Sequence, residues 1–585
     1  MHRQKTANKS SATAMVVALL LLILTKTAAA SFDGNLNYAS PSKRHRSMGI
    51  DVAHVARRTM KRGALAYAPE ELNFTHGVAS GDPLPDRVIS SNPSNVTVEG
   101  TVPLYSHDTQ IYIKADPNPI CVDWAVVPLG SSKVVSSGTA YTTSDIDYTI
   151  KVEAVGLQPL TSYNYHFTIC GSTVKSVVGR TKTAPTADAE VKELTFAVFS
   201  CSNYRKLSHE QDYFVHLGDF IYEDGNQGER AHMAPKLLFS LLDYRTRYGQ
   251  YRTDPDLQLA SQNFAWITTW DDHEVSNNGY RDGSSGLNNT EDSFLGDGGV
   301  SVDQRKMNAV RAYFEWMPIR QVDLDDNLRV WRTLQLGNLM LSDLIILDTR
   351  NYDRNITDLS TSILAIKVLN TDYIDTIRDD ASRSMMGSRQ EHWFYNQLSA
   401  SSNHGAAWRG WESSTLLETL RGYIANRNRT LKHLYDNNIS NNVFLAGDSH
   451  QNWVSDLVWL DEKDYNPETG DGSIGVEFGG PAVSSTGEDA PIIPAHIEAQ
   501  YRVGNNTELQ WQDDYHRGYI FLSVKPDVVE ARDDNKLRRP VAGGEAEAGA
   551  LRGDVITPTN LSLNTDTFEW EVIGFDQMYI TIPNS

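Results

Sequence analysis

Six side chains of metal-binding types follow four apolar runs of the chain. The runs are LTFAVFSC, YFVHLGD, AWITTWDDHE and NVFLAGDSH, and the side chains at or just after their ends are Cys201, Asp219, Tyr222, Asp272, Asp448 and His450. An α/β sheet presents its site at the carboxyl ends of its strands, so we expect these side chains to meet. Carboxylates that converge in one place repel each other unless cations hold them. The pattern therefore predicts a metal centre.

The types of ligand indicate more than one kind of metal. Cysteine thiolate and tyrosine phenolate are anionic donors suited to a strongly Lewis-acidic transition metal such as ferric iron, whereas a set of carboxylate and amide oxygens suits calcium or magnesium. The pattern therefore predicts a mixed site. His216 lies inside the second apolar run, so we interpret it as a core histidine and not as a ligand.

The length and charge of the chain limit its domain organisation and its binding partners. A chain of 585 residues is too long for one ordinary core, so at least two domains are expected. The formal net charge of -21 argues against a basic surface that binds nucleic acid or an anionic membrane. It does not exclude an anionic substrate, because bound metal ions can reverse the potential inside a pocket.

The start of the chain predicts export. Residues 1–30 have the pattern of a signal peptide, with basic residues before the apolar run 14–24 and small residues at 28–30. A membrane anchor is the alternative, but it needs about 20 apolar residues, which is more than this run provides. The Asn-x-Ser/Thr sequons are at Asn73, Asn95, Asn288, Asn355, Asn428, Asn438, Asn505 and Asn560. We therefore predict a secreted, glycosylated extracellular protein, either free or associated with the cell wall.

The rest of the chain divides by its patterns into three parts. Residues 31–70 are polar and contain pairs of basic residues, which suits a polar leader or a propeptide. Residues 71–188 consist of short runs rich in Val, Thr, Ile and Tyr between turn residues, which predicts a small all-β sandwich. In residues 189–585 strand-like and helical runs alternate, which indicates an α/β domain with a central sheet.

The three cysteines bear on both of these domains. Cys121 and Cys170 lie in the strand-rich region, so they are the natural disulfide pair in a secreted protein. Cys201 is then left unpaired. A free cysteine is either a small buried apolar residue or, beside other metal-binding side chains, a ligand.

Eight motifs of the chain, taken together, resemble the PhoD-type alkaline phosphatases of the calcineurin-like metallophosphoesterase superfamily. In chain order the motifs are HGVASGDPLPDRV (76–88), FSCSNY (199–204), VHLGDFIYE (215–223), YRTDPDLQ (251–258), WDDHEVSNN (270–278), MNAVRAYFEWMPIR (307–320), LDTRNYDR (347–354) and AGDSH (446–450). The resemblance implies an immunoglobulin-like β-sandwich followed by a metallophosphoesterase domain, whose central β-sandwich is flanked by helices. It also implies hydrolysis of phosphomonoesters and phosphodiesters by metal-activated water, with one ferric iron and two calcium ions.

The resemblance assigns roles to individual residues. The implied iron ligands are Cys201, Asp219 and Tyr222, with Asp219 bridging to calcium. The remaining implied metal ligands are Asp272, Asn308, Asp448 and His450. His273 is implied as the catalytic group that stabilises developing charge or protonates the leaving oxygen, and Arg350 as a guanidinium that faces the phosphate. The partner is then a phosphoester, and we expect a monomer.

Three departures from the family pattern and two alternative functions stay open. The chain has RVISSNPSN where the family has an apolar strand, a short connection between Cys201 and Asp219, and an irregular segment at 408–422 where relatives have a core strand. A glycosidase would use paired acids such as Asp272 and Glu274. A catalytically impaired family member would act as a cell-surface metal-binding module.

Overall fold

The computed structural model describes the chain in segments separated by gaps. The described residues are 35–36, 69–92, 96–98, 119–143, 146–201, 211–225, 232, 236–284, 287–288, 298–320, 329–337, 343–356, 371–413, 421–480, 482–483, 485, 492–513, 517–526, 528–533, 561–564, 569–572 and 580–583. The predicted signal peptide, most of the predicted leader and the connection 202–210 lie outside these residues. Within them, no helix is long and apolar enough to cross a membrane.

The described residues form strands and helices that alternate from residue 194 onward. In chain order the strands are β1 (Leu72–Phe74), β2 (Ala79–Leu84), β3 (Arg87–Asn92), β4 (Val96–Val98), β5 (Ile120–Pro128), β6 (Ser136–Thr142), β7 (Ile150–Val155), β8 (Ser162–Ile169), β9 (Gly179–Lys182), β10 (Leu194–Phe199), β11 (Tyr213–His216), β12 (Ala265–Thr268), β13 (Gly279–Tyr280), β14 (Gly283–Ser284), β15 (Leu287–Asn288), β16 (Arg332–Leu334), β17 (Leu344–Ile346), β18 (Arg409–Ser413), β19 (Asn442–Ala446), β20 (Asn452–Leu457), β21 (Gly475–Gly479), β22 (Leu509–Asp513), β23 (Ile520–Val524), β24 (Val528–Asp533), β25 (Leu561–Asn564), β26 (Glu569–Val572) and β27 (Ile580–Pro583). The α-helices are α1 (Leu241–Tyr251), α2 (Pro255–Asn263), α3 (Val302–Trp316), α4 (Thr371–Ile377), α5 (Gly387–Asn403), α6 (Ile424–Asp436) and α7 (Ile492–Asn505).

Local chemistry sets the starts of the first three helices. Ser240 caps α1 in a capping box, in which its side chain accepts from the backbone of Asp243 while the Asp243 side chain accepts from the cap. Asp254 caps α2, which has Pro255 in its first turn. Ser301 caps α3. These caps satisfy backbone N–H groups that have no partner within the helix.

Two large sheets form the centre of the structure. One has the strand order β27-β24-β23-β10-β11-β12-β2-β3-β7, and the other has the order β16-β17-β18-β19-β21-β20-β22. Val198 and Ile267 of the nine-stranded sheet share a buried core with Ile346 and Leu445 of the seven-stranded sheet. The two sheets therefore pack face to face.

Helices cover the outer faces of both sheets. On the nine-stranded sheet, Phe214 and Trp266 share a core with Trp316 of α3. On the seven-stranded sheet, Phe444 shares a core with Phe394 of α5 and Leu431 of α6. Because neighbouring strand residues point to opposite faces, each strand contributes to both the inter-sheet core and a helix-facing core. The result is a helix–sheet–sheet–helix arrangement, which fits a metallophosphoesterase-like fold.

The N-terminal region adds a smaller sheet of order β6-β5-β8-β9. Its inner face shares a core with β3 and β7, through residues such as Val122, Phe167, Val88 and Val152. However, β2, β3 and β7 belong to the nine-stranded sheet, because β2 pairs with β12 in parallel. One sheet thus runs across the predicted boundary between residues 188 and 189. The immunoglobulin-like type of this region stays a prediction.

Two of the three departures from the family pattern fall on described strands. The segment RVISSNPSN begins with β3, which pairs with both β2 and β7 and buries Val88 and Ile89 completely. The expectation that residues 408–422 lack a core strand is wrong: β18 lies between β17 and β19 and pairs in parallel with both. Long-range pairing forms this strand, although its local sequence has few strand signals.

Candidate metal centre

The metal-binding side chains lie on loops that follow parallel strands. Strands β10, β11 and β12 pair in parallel, so the loops bearing Cys201, Asp219 and Asp272 lie at one edge of the nine-stranded sheet. The loop bearing Asp448 and His450 follows β19 in the facing sheet. The edges of the two stacked sheets meet at these loops.

Four of these residues have a left-handed backbone. The φ angle is 51° at Cys201, 57° at Asp219, 68° at Asp448 and 59° at His450. A residue other than glycine in this region costs about 1–3 kcal/mol, and such residues cluster at functional sites. The loops turn sharply at these positions, which brings each side chain to the junction of the sheets.

One group of side chains surrounds a single carboxylate oxygen. Asp219 Oδ2 is 3.5 Å from Cys201 Sγ, 3.2 Å from the Tyr222 hydroxyl and 3.9 Å from His450 Nε2. The Tyr222 hydroxyl is also 3.1 Å from His450 Nε2. Thiol, phenol, imidazole and carboxylate thus converge from three loops, and Cys201, Asp219 and His450 can share one metal ion.

A second group, made of carboxylates, adjoins the first. Asp219, Asp272 and His273 could together hold an ion, and so could Asp271, Asp272 and Asp448. Asp271 Oδ2 and Asp272 Oδ1 are buried and have no hydrogen-bond partner among the described residues. Buried carboxylate oxygens without partners are costly unless a cation binds them. The donors present therefore fit metal ions.

The protonation of these groups also points to cations. Burial raises the pKa of the Cys201 thiol well above its usual value, and the charge of Asp219 raises it further. Burial likewise raises the pKa of Tyr222, with added repulsion from Cys201 and Asp219. Burial also raises the pKa of Asp271, although Arg350 opposes this effect. A nearby positive charge reverses such shifts, so bound cations would bring these donors into their anionic forms.

His273 faces the carboxylate of Glu223, which sequence reasoning did not assign. Glu223 Oε2 is 2.6 Å from His273 Nδ1, and Glu223 Oε1 accepts the Asn277 N–H at 2.6 Å. Although burial favours the neutral imidazole, the charges of Glu223 and Asp219 raise the pKa of His273 well above its usual value. The acid that ends VHLGDFIYE is the sequence signal that could have pointed to this partner.

Glu274 holds two ligand loops together. Its carboxylate accepts backbone N–H bonds from Asp219 at 3.1 Å, from Asp271 at 2.7 Å and from Phe220. A buried carboxylate whose oxygens are occupied by the backbone cannot act on a glycosidic bond. The structure therefore gives no support to the glycosidase alternative.

The structure places Asn308 in a different set of contacts. It lies on α3, where its side-chain oxygen accepts from Gln304 at 3.0 Å and its amide donates to the Phe239 carbonyl at 2.9 Å. Its predicted role as a ligand stays a prediction. His216 is completely buried and stacks on Trp266, as expected for a core histidine.

Arg350 faces carboxylates on several sides. The residue is only 2% exposed, its Nε lies 2.5 Å from Asp271 Oδ1, and its other nitrogens approach Asp272 and Asp448. The predicted contact with a phosphate group stays a prediction. Cys121 and Cys170 form a disulfide, and Cys201 is free and buried.

Stacked sheets flanked by helices, with metal-binding side chains on the loops at the strand ends, fit the class of metal-dependent phosphoesterases. Comparison with known proteins narrows this class. Residues 196–532 match the model of the PhoD-like phosphatase family, and residues 59–185 match the model of the N-terminal domain of PhoD-like phosphatases. The chain belongs to the PhoD-like phosphatase family.

A curated protein and a solved structure support this assignment. The chain is 31% identical over 491 residues to alkaline phosphatase D of Bacillus subtilis, covering 77% of this chain and 76% of that protein. The solved structure of PhoD matches with a TM-score of 0.63 and 29% identity, covering 80% of this chain and 87% of that one. The protein is therefore a phosphoric ester hydrolase of the PhoD type.

Proposed function

We propose that this protein is a secreted alkaline phosphatase that hydrolyses phosphomonoesters and phosphodiesters with one ferric iron and two calcium ions. The observation that carries the proposal is the position of Asp219. Its Oδ2 is close to a thiol, a phenol and an imidazole, while the same side chain also belongs to a group with Asp272 and His273. One carboxylate would therefore serve both a site with sulfur and phenol donors and a neighbouring site with a second carboxylate.

The donor types assign a metal to each group. Cys201, Tyr222 and His450 around Asp219 suit ferric iron, because thiolate and phenolate are strong anionic donors. Asp272 and Asp448 suit calcium, which prefers oxygen ligands. When bound, such cations supply Lewis acidity to the phosphoryl group and lower the pKa of water.

The residues at the open side of the centre act on the ester. The side chains of His273, His450 and Asp448 are 19%, 20% and 34% exposed, whereas Asp219, Asp271 and Asp272 are buried. His273 therefore lies among the groups that a phosphoester arriving from solvent can reach and that can donate a proton. Held by Glu223, the imidazole donates this proton to the leaving oxygen, as a general acid whose position is fixed in advance.

Exposed sequons support secretion and glycosylation. Asn73, Asn438 and Asn505 each begin an Asn-x-Ser/Thr sequence and are exposed, so the asparagine of each is accessible for modification. The predicted signal peptide lies outside the described residues, and it supports the same proposal from the sequence.

The test combines elemental analysis with assays of one phosphomonoester and one phosphodiester, on wild type and on His273→Ala. We expect iron and calcium in both proteins and turnover of both substrates by wild type. The variant should lose at least about 100-fold in kcat, the usual contribution of a general acid. Metal-loaded wild type without turnover would instead establish a metal-binding module. Full activity without iron would overturn the metal assignment.

A further inference from the structure

Arg350 connects loops from both central sheets. Asp271 and Asp272 follow β12 of the nine-stranded sheet, whereas Asp448 follows β19 of the seven-stranded sheet. Arg350 itself lies in the loop after β17. Its Nε is 2.5 Å from Asp271 Oδ1, its Nη1 is 3.6 Å from Asp272 Oδ2, and its Nη2 contacts Asp448 Oδ1. One guanidinium thus faces three carboxylates from two different loops.

The loop of Arg350 is itself fixed by hydrogen bonds. Asp348 Oδ1 accepts the backbone N–H of Arg350 at 3.1 Å and that of Asn351 at 2.7 Å. Asn351 Nδ2 donates to the Asp271 carbonyl at 3.0 Å, and Gln390 binds both backbone polar groups of Asp348. The guanidinium is therefore held in place from its own backbone as well as through its charge.

In two of the carboxylates, one oxygen lies near Arg350 and the other oxygen is buried. Arg350 faces Oδ1 of Asp271 and Oδ2 of Asp272, and the opposite oxygens, Asp271 Oδ2 and Asp272 Oδ1, have no partner in the described part of the chain. The hydrogen bond from Arg350 fixes the orientation of the Asp271 carboxylate, and Asp272 Oδ2 lies within ion-pair distance of the guanidinium while it accepts the Asn278 backbone N–H. The second oxygen of each carboxylate stays available to a cation. A planar guanidinium can orient several carboxylates in this way, which a point charge cannot do.

We propose that Arg350 is a positioning residue, an internal counter-ion that holds Asp271, Asp272 and Asp448 in the cation-binding arrangement when no cation is bound. Without it, the three neighbouring carboxylates of Asp271, Asp272 and Asp448 would repel each other, and the loops of the two sheets would separate at this edge. The inference rests on the proposed function, because it assumes that Asp272 and Asp448 bind calcium.

The experiment compares melting temperatures of chelator-treated protein with and without added calcium chloride, for wild type, Arg350→Gln and Arg332→Gln. Arg332 is the matched control, since it is a buried arginine paired with a buried carboxylate, Asp82, 2.5 Å away. We expect Arg350→Gln to melt much lower than wild type without calcium, and calcium to restore most of the difference. Calcium stabilises the folded state to which it binds by mass action. The calcium-induced rise of the variant should therefore exceed that of wild type by most of the difference in melting temperature between the two chelator-treated proteins.

The control and a second variant separate the explanations. Arg332→Gln should lower the melting temperature equally with and without calcium. Arg350→Lys keeps the charge but not the planar guanidinium, so its calcium-induced rise in melting temperature should lie between those of wild type and Arg350→Gln. The lysine variant also provides the test if the glutamine variant does not fold. A calcium-induced rise in the Arg350 variants equal to that of wild type, with a raised KM for a phosphomonoester, would overturn the inference in favour of a substrate contact. If wild type itself gains no stability from calcium, the proposed function fails instead.

Discussion

The pair formed by Glu223 and His273 allows a sharp test of how this centre handles protons. Glu223→Gln keeps the size of the side chain and removes its charge. In wild type, His273 Nδ1 is 2.6 Å from a carboxylate oxygen of Glu223. In the variant, the amide oxygen can still accept the Asn277 N–H, but the amide nitrogen faces His273 Nδ1. The imidazole must accept a hydrogen bond at that nitrogen and loses the negative charge that favours its protonated form.

The size of the effect follows from the contact that is lost. A hydrogen bond between charged groups contributes about 1.5–3 kcal/mol, and this pair is largely buried. If that energy orients and protonates the general acid, kcat should fall about 10- to 100-fold. The pKa of His273 is raised by Glu223 against the effect of burial, so it should fall in the variant.

The pKa shifts of His273 and Glu223 determine how the stability of the folded state depends on pH. A histidine with a raised pKa stabilises the folded state fully below its usual pKa, and this contribution is lost as the pH rises through the raised value. Burial raises the pKa of Glu223, but His273, the Asn277 N–H and Arg305 together outweigh this effect and lower it, so its contribution is lost as the pH falls through that lowered value. The pair therefore stabilises ion-free protein between these two limits, and the variant should lack this stabilisation.

The assay is an NMR titration of His273 in chelator-treated protein, together with the pH profile of kcat in metal-loaded protein. Glu315→Gln is the control: Glu315 is a buried glutamate paired with Arg245 at 2.6 Å and Arg311 at 3.0 Å. It should lower stability but leave the titration of His273 unchanged. An unchanged pKa of His273 in Glu223→Gln would refute the role given to this carboxylate.

Three other outcomes are expected. Replacing Cys121 and Cys170 by serine should lower the free energy of unfolding by about 4 kcal/mol in denaturant melts, from the entropy of a loop with a sequence separation of 49; no loss would contradict this. If Tyr222 binds ferric iron as a phenolate, the metal-loaded protein should show a visible phenolate-to-iron charge-transfer band that Tyr222→Phe abolishes, and a variant spectrum equal to that of wild type would exclude Tyr222 as an iron ligand. Asp272→Asn should reduce both the activity and the calcium-induced rise in melting temperature, because one anionic ligand is gone; an unchanged rise would place calcium elsewhere.

Local patterns in the sequence were sufficient to predict several strands and helices. They also predicted which side chains meet at the candidate metal centre, for most of these residues. The apolar runs that end at Cys201, Asp219 and Asp448 are strands followed by loops at one edge, because strand ends and turn residues are set by neighbours in the chain. The helical character of α3 is also local, since its Ser301 cap and its 3.6-residue pattern depend on neighbours in the chain.

Only the tertiary structure decided how the sheets combine and which partner each buried charge has. β18 exists because β17 and β19 pair with it on either side, and β2 joins the main sheet through β12, far along the chain. Likewise His273 meets Glu223 at a separation of 50 residues and Arg350 meets Asp271 at 79. The physical reason is that a local pattern specifies which residues lie on one face of an element, whereas the partner across a packed interface depends on how two sheets stack, and no short stretch of sequence contains that information.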